Sequence, residues 1–577
     1  MKITLSSSGS CILDAENGFS AAYPKMIEFP TKTRWLGRKL VFQPIGANIA
    51  FVLQNWPEAN WIDGAEHHLN RYHEARQKEQ LILASKTESL DDPMGYQPRT
   101  KLFNHQRQAF LLSRDQESFA LFHEQGCGKT KVIIDTAAYL YEQNKIDAVV
   151  IIAPNGVHHN WIDNEIPKHF PERISHFCVD YSAELRPAEL DLLKKLVQQK
   201  KSSLAFCTFN VDGFTSKKAT SLLEYILAER RCMMVIDESQ RIRNHKALRT
   251  KYLIKQGTKA KYRRIMTGTP ITKGVENIFS QFKFLDEMIL GHKSFYTFRA
   301  QYCIMGGYQD TQIIGYRDTK ELIRTIESNS HRVLKVDCLD LPEKIYKRYP
   351  FPMHPEQLKL YRTVKKNIIE ELEELLGKEV GAERNEELAV TRIIRLQQIT
   401  SGWYPESTED EAVPLPWGNP KLSALLEVLE DTEGKVIIWA RFIADLEAIF
   451  KAVNKKGNAV QYWGSTSKDA RRMAINRFKE DPSVKYFVSS QSVGGTGLDL
   501  PVADTAIYYS NSHDLEQRLQ SEDRNHRIGT TNRVVYIDLE AEHSIDRFII
   551  NALRKKKRMA DLFMKDPLCP FIEEAYE

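Results

Sequence analysis

The residues at 123–130, His-Glu-Gln-Gly-Cys-Gly-Lys-Thr, have the types and spacing of a phosphate cradle. Gly126 and Gly128 let backbone N–H groups approach phosphate oxygens, and a helix starting here adds positive potential from its N-terminus. Lys129 would reach the β- and γ-phosphates of a nucleotide, and Thr130 would ligate Mg²⁺. The general pattern G-x-x-x-x-G-K-[ST] asks for glycine where His123 stands. A glycine-rich turn before a core helix is the plainer reading of the same stretch.

About a hundred residues downstream, "CMMVIDESQ" (232–240) ends an apolar run on two adjacent carboxylates. Charges are kept out of apolar surroundings unless something compensates them, so the pair invites a function. Asp237 can hold the metal shell and Glu238 can polarise a water. A surface acidic pair at a strand end is common, and by itself this run says little. Set beside the glycine loop it completes what a nucleotide hydrolase needs: a cradle, a metal ligand and a group that orients the attacking water.

These groups must be positioned by strands and helices. "SFALF" (118–122) reads as a buried strand and "KVIIDTAAYLYEQ" (131–143) as the helix after the loop. "DAVVIIAP", "LAFCTF", "CMMVID" and "YRRIMTG" continue the strands, with helical segments between them. That rhythm predicts an α/β fold with a parallel sheet covered on both faces. Residues 286–400 read as mostly helical, with a long half-exposed helix over 358–376, and 403–420 reads as a proline-rich acidic linker. The rhythm resumes at "KVIIWA" (435–440) and runs through "AVQYW", "KYFVSS", "DTAIYY" and "RVVYIDL". A final helix over 544–564 is expected to dock Ile545, Phe548, Ile549, Ala552 and Leu553 on the core. Residues 1–98 suggest a small β or α+β module, with at least two of Trp35, Trp56 and Trp61 in its core. The expected division is therefore 1–98, an accessory domain; 99–290, a first lobe; 291–418, a helical insertion and linker; and 419–577, a second lobe.

The bulk numbers set limits. The chain has 577 residues, too many for one hydrophobic core. Its formal charge of +5 is weak evidence for a polyanion partner, so a nucleic-acid reading must come from a site. No run of eighteen apolar residues and no secretory signal is evident, which points to a cytosolic protein without a membrane partner. The cysteines include no C-x-x-C pair, which argues against a zinc ribbon or a disulfide framework. His67, His68 and His73 read as a helix surface.

Further runs, in order along residues 100–565, resemble a family. "LFNHQRQAF" (102–110) resembles an adenine-reading Q segment, and "IIAPNGVHHNW" (151–161) a motif Ia. "DESQRIRN" (237–244), "MTGTPI" (266–271) and "HRVLKVDCLDLPEK" (331–344) resemble its motif II, its motif III and a K-x-D-V-x-x-x-L-P segment. "KVIIWARF" (435–442), "SSQSVGGTGLDLPVAD" (489–504) and "QRLQSEDRNHRIGTTNRVVYIDL" (517–539) resemble motifs IV, V and VI. Together they resemble a Swi/Snf-type ATPase of helicase superfamily two, a double-stranded-DNA translocase with two RecA-like lobes.

The resemblance implies roles. Gln106 reads adenine, so ATP is the nucleotide, and Asp499 contacts the ribose. Lys129, Thr130, Asp237 and Glu238 keep the roles argued above. Arg524 and Arg527 act as arginine fingers on the γ-phosphate; a solvated helix face, which their spacing of three also permits, is the alternative. Thr267 and Thr269 couple hydrolysis to lobe movement. Asn155, Thr208, Arg441, Ser490 and Thr496 track the nucleic-acid backbone. The partner implied is DNA, double-stranded and contacted without regard to sequence, and the small size favours a prokaryotic or viral motor, a nuclear one if eukaryotic. The basic run at 554–558 reads as a solvated face, with DNA binding or nuclear import as alternatives.

This chain departs from the family pattern at His123, at Asn104 in place of proline, at Gln240 in place of histidine and at Thr530 in place of glutamine. None removes a phosphate ligand or a metal ligand. Two alternatives stay open: a strand-separating DNA or RNA helicase of the same superfamily, and a non-hydrolysing nucleic-acid-binding scaffold.

Overall fold

The computed structural model describes residues 1–554 except 8, 30–32, 43, 45, 86–94, 155–156, 183, 201, 272–273, 307–311, 339–340, 377–392, 405–412, 456, 495–499, 528–529 and 531. Two compact units divide the chain after Cys338. Among the described residues no helix is long and apolar enough to cross a membrane.

The first unit opens with a five-stranded sheet built from β1 (Lys2–Leu5), β2 (Cys11–Asp14), β3 (Arg34–Leu36), β4 (Lys39–Phe42) and β5 (Asn60–Trp61). Its order is β3-β4-β2-β1-β5, and helices Phe19–Met26, Gly46–Asn55 and Glu66–Ser85 make the module α+β. Trp61 is buried and Trp56 packs against the same core, whereas Trp35 is exposed.

The larger sheet of this unit has seven strands. They are β6 (Ser118–His123), β7 (Ala148–Ala153), β8 (His176–Asp180), β9 (Leu204–Asn210), β10 (Cys232–Asp237) and β11 (Tyr262–Met266), then, beyond the hairpin β12 (Cys303–Gly306) and β13 (Gln312–Tyr316), β14 (Ser330–Val333). The order β14-β6-β11-β10-β7-β9-β8 is parallel throughout. β7 and β10 are buried along their whole length, and an apolar core lies on each face of the sheet. This is why their sequences are unbroken apolar runs rather than alternating ones.

The second unit carries a six-stranded sheet of β15 (Lys344–Phe351), β16 (Lys435–Ala440), β17 (Ala459–Tyr462), β18 (Tyr486–Ser490), β19 (Ala503–Tyr508) and β20 (Val534–Ala541). Its order is β15-β20-β19-β16-β18-β17, again all parallel, with a core on each face. Each unit is thus the α/β architecture that the sequence rhythm predicts.

Several expectations are corrected. The described part of 286–400 is mostly helical, as expected, with helices Phe295–Tyr302, Thr319–Ser328, Lys335–Cys338 and Pro355–Leu376 and helical residues 393–400, but it also holds the hairpin, β14 and β15, which the sequence reading does not include. β8, β14 and β15 all lie at sheet edges, where one neighbour suffices and polar residues are tolerated, so they lack the apolar run that marks a central strand. The described ends of the linker are packed rather than loose. Trp403 donates its indole N–H to Asp445 Oδ1 at 2.7 Å, Leu415 is buried, and Trp417 stacks on His354. In the last helix, Ile545, Ile549 and Leu553 form the packed stripe at a spacing of four, while Phe548 points off it and is exposed. Of the basic run at 554–558, only Arg554 lies within the described residues.

Candidate functional site

β6 ends at His123, and the helix Lys129–Glu142 begins six residues later. The turn between them needs two left-handed residues, and Gly126 (φ 89°) and Gly128 (φ 74°) supply them. Gly128 has a second constraint: a Cβ there would lie 2.0 Å from Gln106 Nε2. The helix is held down by Val132, Ile133, Ala137 and Leu140, all buried, so the loop is anchored at both ends.

Lys129 is buried at the helix start, and its ammonium donates to the carbonyls of His123 (2.8 Å) and Glu124 (3.4 Å). The loop's own backbone therefore holds the charge in the place phosphate oxygens would otherwise take. Thr130 follows, half-buried. From the Q segment, His105 Nε2 lies 2.9 Å from the Cys127 carbonyl, and Gln106 Nε2 donates to it at 3.4 Å. Gln106 Oε1 accepts the Phe103 N–H at 3.0 Å, capping helix Asn104–Ser113. A cavity of about 460 Å³ opens beside them, lined by Lys101, Leu102, Phe103, Asn104, His105 and Cys338.

Asp237 closes β10, two strands from β6. Its carboxylate accepts the Trp161 indole N–H at 3.1 Å and the Glu238 backbone N–H at 2.9 Å. Burial, and then the neighbouring Glu238, push the Asp237 carboxyl up to about 7; the Trp161 hydrogen bond and the Lys129 charge pull the other way. A carboxylate so disfavoured as a lone anion suits a cation. Together with the Thr130 hydroxyl it is an all-oxygen donor set, and that fits Mg²⁺. Glu238 has φ 49°, a left-handed conformation that costs a non-glycine residue energy and swings its side chain away from the strand line. Its Oε2 accepts from Gln240 Nε2 at 2.9 Å, so the glutamine that replaces the family's histidine steadies this carboxylate.

Thr267 and Thr269 lie in the turn after β11, where Thr267 Oγ1 accepts the Thr269 N–H at 3.0 Å. Between them Gly268 abuts the glycine loop: a Cβ there would meet Gln125 N at 3.2 Å and the His123 carbonyl at 3.4 Å. The structure thus brings Gln106, Gly126, Gly128, Lys129, Thr130 and the two threonines around one loop, with Asp237 and Glu238 on a neighbouring strand end of the same sheet.

His123 is fully buried, and its Nε2 lies 2.9 Å from Nδ1 of His331 on β14. Burial first, then His331 and Lys129, hold its pKa well below the usual histidine range, which favours a neutral His123 ring. A buried neutral ring can stand beside Lys129 without an ion pair, which is how histidine is accommodated there.

Other expected positions are placed differently. Thr208 is fully buried and its hydroxyl donates to Asp180 at 2.7 Å, a carboxylate also 2.6 Å from His159 Nδ1. In the second unit Arg441 donates to Gln397 Oε1 at 2.7 Å, and Ser490 is buried at the end of β18. Arg524 and Arg527 are not on a helix, because helix Leu515–Glu522 stops short of them. Arg524 is buried, donating to the Gln520 carbonyl at 2.8 Å, and Arg527 is half-buried, its backbone N–H on Thr530 Oγ1 at 3.2 Å. A solvated helix face is therefore not their setting. Asn155, Thr496 and Asp499 lie outside the described residues.

Sequence reasoning missed Trp161, His105 and His331. Trp161 closes a run that the motif Ia resemblance includes, but nothing local signals that its indole meets a carboxylate on another strand.

A parallel sheet with a glycine loop after one strand and an Asp-Glu pair after another defines a P-loop nucleotide-binding protein. The chain matches the SNF2-related domain over residues 97–401 and the helicase conserved C-terminal domain over 420–529, and it belongs to the SNF2-related family. It is 24% identical over 471 residues to the mouse (Mus musculus) DNA annealing helicase and endonuclease ZRANB3, covering 80% of this chain and 40% of that protein. It is 28% identical over 465 residues to the SWI/SNF chromatin-remodeling complex subunit snf22 of Schizosaccharomyces pombe, covering 76% of this chain and 26% of that protein. The chain thus spans well under half the length of these relatives. Among solved structures it is similar to the Sulfolobus solfataricus SWI2/SNF2 ATPase core in complex with dsDNA, with 22% identity and a TM-score of 0.37, covering 83% of this chain and 96% of that one.

Proposed function

We propose that the protein is a DNA-stimulated ATPase that translocates along duplex DNA. The observation that carries this reading is the single loop at 123–130, gathered with Gln106, Thr267 and the Asp237-Glu238 strand end on one sheet, in a chain whose family domains cover both units. On binding ATP, Lys129 leaves the His123 and Glu124 carbonyls for the β- and γ-phosphates, and the backbone N–H groups around Gly126 and Gly128 take the remaining oxygens. Thr130 and Asp237 would hold Mg²⁺, which neutralises phosphate charge when bound. Glu238, held by Gln240, orients the water that attacks the γ-phosphate. Arg524 and Arg527 keep the arginine-finger role that the resemblance implies. Gln106 exchanges its hydrogen bonds to Phe103 and Cys127 for the adenine edge, beside the cavity lined by Phe103 and His105. Contacts to DNA go to the phosphate backbone and are independent of sequence.

The test is ATP turnover measured without nucleic acid and then with duplex DNA, single-stranded DNA and RNA. Duplex DNA should stimulate most. Stimulation by RNA alone would remove the translocase reading in favour of an RNA helicase, and no turnover under any condition would favour a non-hydrolysing scaffold.

A further inference from the structure

Cys127 sits between the two left-handed glycines of the loop, and its Sγ lies 3.7 Å from Sγ of Cys338, a residue 211 positions away in sequence. Their approach is imposed by the fold. The segment containing Cys338 runs beside the loop: β14 pairs with β6 in register Val333 to His123, the Glu124 N–H donates to the Val333 carbonyl at 2.9 Å, and the Lys335 N–H donates to Glu124 Oε2 at 2.7 Å. The short helix Lys335–Cys338 then delivers the second sulfur. Two peptide segments are thus already clamped three residues from each cysteine. The entropy of bringing distant thiols together is spent in folding and not at the moment of reaction.

We propose that Cys127 and Cys338 form an oxidisable dithiol whose disulfide shuts the nucleotide site. The proposal rests on the loop being the ATP cradle. A disulfide needs its sulfurs at about 2.05 Å, so the pair must close from 3.7 Å. The two sulfurs are not equivalent. Cys127 is buried, and burial, with Cys338 beside it, raises its thiol above the usual range. Cys338 is half-buried and lines the open cavity, so it is the sulfur an oxidant meets. With a peroxide, the Cys338 sulfur takes one oxygen, giving a sulfenic acid and one water. The Cys127 sulfur then attacks that sulfur, the S–O bond breaks, and the hydroxyl leaves as a second water with the Cys127 proton. Two thiols give up two electrons to one peroxide.

The consequence follows from where Cys127 lies. Its carbonyl holds His105 and Gln106, and the glycines beside it carry the N–H groups meant for phosphate. A bond to Cys338 would fix the loop in the conformation where Lys129 is folded onto His123 and Glu124, and would place a sulfur bridge between the loop and the cavity.

The experiment treats the reduced protein with hydrogen peroxide, blocks remaining thiols, and maps the unreduced digest by mass spectrometry. A fluorescent ATP analogue is titrated in parallel. The expected result is a Cys127–Cys338 cross-linked peptide, an analogue affinity at least tenfold weaker, and recovery of both on adding dithiothreitol. Cys338→Ser, and Cys338→Ala as a second replacement, should each give no cross-link and an analogue affinity that peroxide leaves within twofold of the same variant's untreated value. Cys338 oxidised singly while Cys127 stays reduced would overturn the proposal, as would a cross-linked protein that binds the analogue as well as before. A reduced protein that does not bind the analogue at all would instead count against the ATP reading, and the peptide map would still report the bond.

Discussion

At the residue scale, the loop stores its own counter-ligand. Lys129 is satisfied by two backbone carbonyls, and Asp237 by an indole and a backbone N–H, so neither charge waits bare for substrate. On the proposed function, ATP displaces the Lys129 bonds, and the lysine acts where phosphate charge grows. Lys129→Ala and Glu238→Gln should each lower ATP turnover on the order of 100-fold or more. Steady-state turnover at saturating duplex DNA reads this directly, and wild-type rates in Glu238→Gln would take that carboxylate out of the chemistry. The residues that the structure gathers here were legible in the sequence because their pattern is local: glycine, lysine and threonine at fixed spacing, and two acids after an apolar run. His123 could not be interpreted in the same way. Its explanation is His331, brought alongside by a strand pairing that no short window contains.

At the element scale, central strands announced themselves and edge strands did not. β7, β10 and β16 are apolar runs with two neighbours each, whereas β15, an edge strand, mixes lysine, arginine and tyrosine with apolar residues and is only partly buried. The same physics explains the two arginines after helix Leu515–Glu522: a spacing of three suits a helix, but the chain has already turned. The linker gives a test of its packing. Asp445 is buried and accepts from Trp403 Nε1, Ser401 Oγ and Ser510 Oγ, and burial pushes its carboxyl up to about 6. Its folded pKa lies above its unfolded value. As pH rises from 4 to 6, the unfolded chain releases this proton first, and stability falls. Below the unfolded pKa the penalty is absent, and above the folded one it is complete. Relative to Asp445→Asn, the native protein should therefore lose about 2 kcal/mol of unfolding free energy across that window. Urea unfolding of both proteins at pH 4, 5 and 6 measures it, and a difference that does not change with pH would count against a carboxyl whose burial outweighs its hydrogen bonds.

At the scale of the whole molecule, a formal charge of +5 across 577 residues gives little general attraction for a polyanion. On the proposed function, stimulation by DNA comes from a limited set of phosphate contacts, each releasing counterions. The duplex concentration for half-maximal ATPase stimulation should rise by about tenfold or more between 50 and 200 mM salt, with a linear log–log slope. A salt-independent value would mean that the contacts are not to phosphates.

The position of β14 has a practical consequence for anyone dividing this protein. A fragment that stops at residue 290 keeps every residue of the nucleotide loop but removes the strand that covers the outer edge of β6. That edge is almost wholly apolar, and it would be left with an unpaired row of N–H and C=O groups, a template for another chain to add to. Such a piece should self-associate, and one that keeps β6 covered must run at least through Val333 at the end of β14.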